Sequence, residues 1–400
     1  MSTKYDFDKI IDRHGTGALA VDVLNELYGR AWDSAESENI LPMWVADMNF
    51  ETPEFITEAL RIRLDHSLYG YTDMPAEFWP TVTKWIADHH QWNVKADWMR
   101  FIPGIVKGIG FVINVFCKPD EKVIIQPPVY HPFRLTPLGN KREVVMNPLI
   151  MHEEGSYSMD FDGLAKVADD KCRVLILANP HNPAGIVWDV DTLSRLADFC
   201  SERDIIVISD EIHCDMAHPG HKHHPFASVS ECAAQCSITF GAPSKTFNIA
   251  GIVSSYCVVP NEELRRPFFE WLDANELSEP TIFSPIATIA AFKYGEEWRR
   301  QMLEYVEANI DFVDNFLKMR IPQIKALRPQ ASFLIWLNCR ALNLDHDALN
   351  RLFVDGARLA LNDGEMFGRE GRGFMRMNIA SPRAVLQDAL ERLEKAVKAL

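Results

Sequence analysis

The feature that most constrains the fold is a series of short apolar runs, each cut off by a cluster of Pro, Gly, Asn or Asp. Val123 to Gln126 runs into PPVYHPF, Cys172 to Ala178 into NPHNPAG, Asp204 to Ser209 into DEIHCD, and Ser237 to Phe240 into GAPSKTFNIAG. Runs of this length, bounded by turn residues, read as buried strands. Helical stretches lie between them: in Asp191 to Glu202 the apolar Leu193, Leu196, Ala197 and Cys200 follow i, i+3, i+4, i+7 spacing. This alternation predicts an α/β chain with a doubly wound, mainly parallel sheet. Such sheets bind ligands beyond the carboxyl ends of their strands, so the four polar clusters are expected to meet in one pocket.

After about residue 290 the texture changes to long helical patterns, Glu296 to Met319 and Asp345 to Leu359, with the strand-like Ser332 to Asn338 between them. These predict a smaller α+β domain at 291–400. The first fifty or so residues have weak periodicity and read as an arm plus part of that smaller domain (1–55), which leaves 56–290 as the large domain.

A net charge of -15 repels phosphate backbones, which argues against nucleic acid as a partner. The N-terminal MSTKYDFDKI lacks the apolar core of an export signal. The longest apolar stretch, Phe101 to Phe116, holds Pro103, Lys107 and three glycines, so it reads as a turn leading into a buried helix, not a membrane span. Eight scattered cysteines suit reduced thiols in a cytoplasm. Cys232 and Cys236, just after His221, His223 and His224, have a spacing that suggests zinc, but no second Cys pair completes a tetrahedral site, so no metal is expected.

Lys245 sits in a turn that follows a strand, an unusual place for a residue that normally stays on solvated helix faces. A lysine that holds a carbonyl cofactor as a Schiff base needs a depressed pKa, and a pyridine cofactor needs a carboxylate at its ring nitrogen. Asp210, at the end of an apolar strand, suits that carboxylate; capping the next segment is the plainer reading, and Glu211 is an alternative acid. His213 and the carboxamide of Asn182 are candidate donors to an anionic oxygen, although both also suit ordinary structural roles. The turn Gly104-Ile105-Val106 opens a helix whose free N–H groups suit a phosphate. Tyr130 can stack on an aromatic ring or pack in the core. Arg376, between apolar neighbours, has the planar fork that suits an α-carboxylate, or an internal salt bridge.

With these residues collected, the chain resembles the fold-type I superfamily of pyridoxal 5'-phosphate (PLP) aminotransferases, and within it the MalY/PatB-type cystathionine β-lyases. The resemblance rests on MWVADMNF (43–50), YGYT (69–72), PGIV (103–106), PPVYHPF (127–133), NPHNPAG (179–185), SDEIHCD (209–215), APSKTFNIAG (242–251) and GRGFMRMNIASPR (371–383). It implies that Lys245 carries PLP and Asp210 its ring nitrogen, with Asn182 and His213 near the phenolic oxygen and Tyr130 over the ring. It also implies phosphate contacts from Gly104, Ile105, Val106 and Ser244, and Arg376 on the substrate carboxylate. Tyr71 matches a tyrosine lent to the neighbouring subunit's phosphate, so a homodimer with a shared site is implied. Two departures stand out. Ala242 and Val253 occupy positions where many relatives have a phosphate-binding serine and arginine, and Asn49 replaces the aspartate of the usual MDF. The implied activity is β-elimination from L-cystathionine or a related cysteine S-conjugate, giving a thiol, pyruvate and ammonia. The alternatives are a class I/II aminotransferase and a PLP-binding regulator without turnover; the latter normally adds a basic DNA-reading helix, which is absent here.

Overall fold

The computed structural model describes residues 4–28, 39–153 and 155–400. Its large sheet consists of β1 (Met99–Ile102), β2 (Lys122–Ile125), β3 (Glu143–Met146), β4 (Cys172–Ala178), β5 (Ile206–Asp210), β6 (Ser237–Gly241) and β7 (Ser255–Val258). The strand order is β1-β7-β6-β5-β4-β2-β3. β7 runs antiparallel to both of its neighbours, and the other strand pairs of the sheet are parallel. Every residue of β5 and β6 is buried, because helices cover both faces of the sheet. This explains continuous apolar runs in place of alternation.

The principal helices are α1 (Glu54–Asp65), α2 (Phe78–His90), α3 (Ile105–Phe116), α4 (Val190–Ser201), α5 (Ser284–Tyr294), α6 (Glu296–Arg320) and α7 (Arg383–Lys398). In α4 the expected stripe of Leu193, Leu196, Ala197 and Cys200 is fully buried against Leu175 and Val207. Each leucine so buried stabilises by roughly 1.5–3 kcal/mol. Asp189 starts this helix by accepting the Thr192 N–H at 2.6 Å. On the opposite face α3 lies close to β6: a Cβ on Gly108 would sit 2.6 Å from the Phe240 ring, so only glycine lets the helix approach this far.

A second, antiparallel sheet follows, built of β8 (Lys325–Leu327), β9 (Leu334–Asn338), β10 (Asn362–Asp363) and β11 (Phe374–Asn378) in the order β8-β9-β11-β10. The expected helix over 345–359 is shorter. Its α-helical part is His346–Arg351, a π turn spans Leu352–Gly356, and Arg358 turns the chain at φ +54°. Leu359 and Ala360 then pair in parallel with Leu41 and Pro42, which ties the N-terminal segment to the C-terminal part of the chain. The expected boundary at 290 falls inside α5, which packs on α1 and α2; the chain turns only at Gly295, between α5 and α6. Among the described residues no helix is long and apolar enough to cross a membrane.

Candidate active site

The carboxyl ends of β4, β5 and β6 meet the N-terminus of α3 around a cavity of about 140 Å³ lined by Ile105, Val106, Tyr130, Asn182, Asp210, His213 and Lys245, among others. A larger cavity of about 770 Å³ shares Lys245, Tyr130 and Ala46 with it and reaches Arg13, Asp47 and Arg376. The polar clusters that end the apolar runs do converge.

Lys245 follows β6, and its Nζ donates to Ala46 O at 2.6 Å. Burial lowers its pKa to about 8; Arg376 pushes the same way, while Asp47 and Asp210 oppose. Asp210 accepts the Ile212 N–H at 3.1 Å, so it shapes the following turn as well as facing the cavity. Burial raises its pKa to about 7 despite that bond and the nearby Lys245. Its neighbour Glu211 is directed elsewhere. That carboxylate accepts from Ser209 Oγ at 2.9 Å and Phe226 N at 2.8 Å and pairs with His223 Nε2 at 2.9 Å, which removes it as an alternative acid.

His213 is buried with its Nδ1 unpartnered, and burial, then Lys245 and Arg376, lower its pKa to about 3, so its ring is neutral at physiological pH. Arg376, on β11, is 4% exposed. It donates to Asn182 Oδ1 at 2.9 Å, to Trp44 O at 2.9 Å and to Asn362 Oδ1, and its Nε has no partner. Among the described residues no carboxylate pairs with it, so an internal salt bridge does not account for this buried cation. A buried guanidinium without a counter-ion is costly, and here it faces a cavity. Its bond to Asn182 Oδ1 also turns the carboxamide so that its NH₂ is the donating end.

Gly104 has φ +106°, opens α3 and spends its own N–H on Ile102 O at 2.9 Å. Of the three expected amides, those of Ile105 and Val106 are left for an anion, with no side chain capping them. Two expected residues lie apart. Ser244 is buried but lines neither cavity, and Tyr71 is fully exposed and lines neither. Val253 stands beside Gly104, 3.9 Å from a Cβ built there, so no cation occupies that position. The zinc-like spacing also disperses: Cys232 and Cys236 lie on the helix Glu231–Cys236, while His223 is turned to Glu211.

The motifs of the sequence give no role to Ala46, Asp47, Arg13 or Asn362, which line the larger cavity. Ala46 and Asp47 lie within MWVADMNF, where a break of polarity in an apolar run was a usable signal. Arg13 and Asn362 stand in no recognisable pattern.

The donor set fits PLP. A buried amine suits its aldehyde, a buried carboxyl lacking a strong cation suits its ring nitrogen, and uncapped helix amides suit its phosphate. Residues 39–393 match the family described as aminotransferase class I and II. The chain belongs to this family. Among class I and II relatives, cystathionine beta-lyase PatB of Bacillus subtilis (strain 168) is 39% identical over 393 residues, covering 98% of this chain and 100% of that one. Protein MalY of Escherichia coli (strain K12) is 31% identical over 399 residues, covering 99% and 100%. The solved structure of cystalysin from Treponema denticola, which contains a pyridoxal 5'-phosphate cofactor, superposes with a TM-score of 0.94 at 34% identity, covering 99% and 100%. The fold is thus the fold-type I architecture of PLP aminotransferases.

Proposed function

We propose that this protein is a PLP-dependent carbon-sulfur β-lyase that cleaves L-cystathionine or related cysteine S-conjugates to a thiol, pyruvate and ammonia. The observation that carries this reading is the end-to-end 39% identity to a cystathionine beta-lyase. The chemistry supplied by bound PLP is electron withdrawal from the substrate's Cα. Lys245 would hold the cofactor, Asp210 the proton on its ring nitrogen, and Asn182 and His213 its phenolic oxygen. Tyr130 would contact the ring, and the Ile105 and Val106 amides the phosphate. Arg376 binds the α-carboxylate through its fork and so fixes the orientation of the Cα–H bond. Burial lowers the pKa of the Lys245 amine, which suits it, once freed, to remove the Cα proton as general base.

The proposed assembly is a homodimer in which Tyr71 reaches the phosphate site of the other subunit; its full exposure, beside exposed Leu68 and Tyr69, supports this. Eight free cysteines support a reducing cytoplasm. The same proposal divides the chain into 1–55, 56–290 and 291–400, with the second boundary moved to Gly295, and nucleic acid is no partner for a chain of charge -15. The test is incubation of the PLP-loaded protein with L-cystathionine alone. L-homocysteine, pyruvate and ammonia should appear in equal amounts; the absence of pyruvate would overturn the reading.

A further inference from the structure

The larger cavity has a second charged pole that the roles above leave unused. Arg13, on the irregular segment before Leu19, donates from Nη2 to Asp47 Oδ2 at 2.6 Å and from Nη1 to Asp47 Oδ1 at 3.2 Å. Its Nη1 also donates to Asn49 Oδ1 at 3.0 Å. Both charged side chains stay partly open, at 23% and 21% exposure, and both line the cavity that contains Lys245 and Arg376.

This pair is not saturated. A carboxylate offers about four acceptor sites and a guanidinium about five N–H donors, and these contacts use only part of each. Among the described residues the remaining lone pairs of Asp47 and N–H groups of Arg13, its Nε included, have no partner, which leaves a negative and a positive edge side by side. The complement of this pair is a zwitterion, with an ammonium for Asp47 and a carboxylate for Arg13.

Asn49 sets the balance. Its Nδ2 donates to Ser381 Oγ at 2.9 Å and its backbone N–H to Ala380 O at 2.8 Å, which fixes its Oδ1 toward Arg13. The neutral amide supports Arg13 without a second negative charge.

Resting on the lyase reading, we propose that Arg13 and Asp47, positioned by Asn49, form the subsite for the leaving group and select a thiol that bears its own ammonium and carboxylate. The distal half of L-cystathionine has that chemistry. One cavity would then read both ends of the substrate, the α-carboxylate at Arg376 and the distal zwitterion at Arg13 and Asp47.

The test compares kcat/KM for L-cystathionine with that for S-ethyl-L-cysteine, whose leaving group is uncharged. Holoenzymes of wild type, Arg13→Gln and Asn49→Ala, which removes the bond that positions Arg13, are measured; Asp47 is left intact because its charge also acts on Lys245. The ratio of the two constants should fall about tenfold or more in each variant, mainly through KM for cystathionine. Equal losses for both substrates would make the pair a structural latch and overturn the subsite. An unchanged ratio would overturn it too. If wild type cleaves neither thioether, the lyase reading itself fails, an outcome distinct from an unselective variant of a working lyase.

Discussion

At the residue scale the site is defined by charges that lack ordinary company. Arg376 is a buried cation with three neutral acceptors and a spare N–H, and Arg376→Lys keeps the charge but loses the fork. KM should rise roughly 10-fold or more for every amino acid substrate, whatever its leaving group; a loss confined to one substrate would place this arginine near the side chain instead. Lys245 gives a pH signature. Its folded pKa of about 8 lies below the ordinary 10.5, so protonated Lys245 costs stability. That cost is fully present below pH 8 and fades as pH rises from 8 towards 10.5. Only the neutral amine takes up PLP, so the rate of uptake by cofactor-free protein, read from visible absorbance, should climb to about pH 8 and then level off. A midpoint near 10.5 would mean that the amine is solvated. Lys245 was legible because it stands in a polar break after an apolar run, and Arg376 because it is a charge set between apolar neighbours. The partners that set their chemistry were not: the Ala46 carbonyl on Lys245 and the Trp44 carbonyl on Arg376 come from distant segments, and no local pattern links them.

At the element scale, the phosphate donors depend on how closely α3 approaches the sheet. Gly108→Ala would drive a methyl group into the Phe240 ring and displace the N-terminus formed by Ile105 and Val106. Overpacking of this kind costs about 1–3 kcal/mol, so thermal stability should drop and PLP should dissociate more readily. An alanine variant with wild-type cofactor affinity would show that the helix position does not control the phosphate site. The strands ending at 178 and near 210 and 241 could be read from the sequence because buried parallel strands are continuous apolar runs with turn residues at their ends. The helix expected to reach Leu359 could not. Leu359 is apolar because it sits in a strand pair with Leu41, more than three hundred residues away, and helical periodicity cannot distinguish the two uses.

At the scale of the whole molecule, the proposed dimer makes a prediction that a monomer does not. If Tyr71 serves the other subunit and Lys245 its own, Tyr71→Phe and Lys245→Ala, each severely impaired alone, should complement when unfolded and refolded together. Random pairing makes about half the dimers mixed, each with one whole site, so activity should recover to roughly a quarter of wild type; no recovery would mean that a single subunit supplies both residues of a site. The central claim is that the bond broken after Cα deprotonation is carbon–sulfur, and not that an amino group is passed on. The direct measurement is L-cystathionine turnover with and without an added keto acid. The account predicts one pyruvate per cystathionine consumed in both conditions, with no new amino acid formed from the acceptor. Turnover that requires the acceptor and yields an equal amount of its amino acid would contradict it and make this chain an aminotransferase.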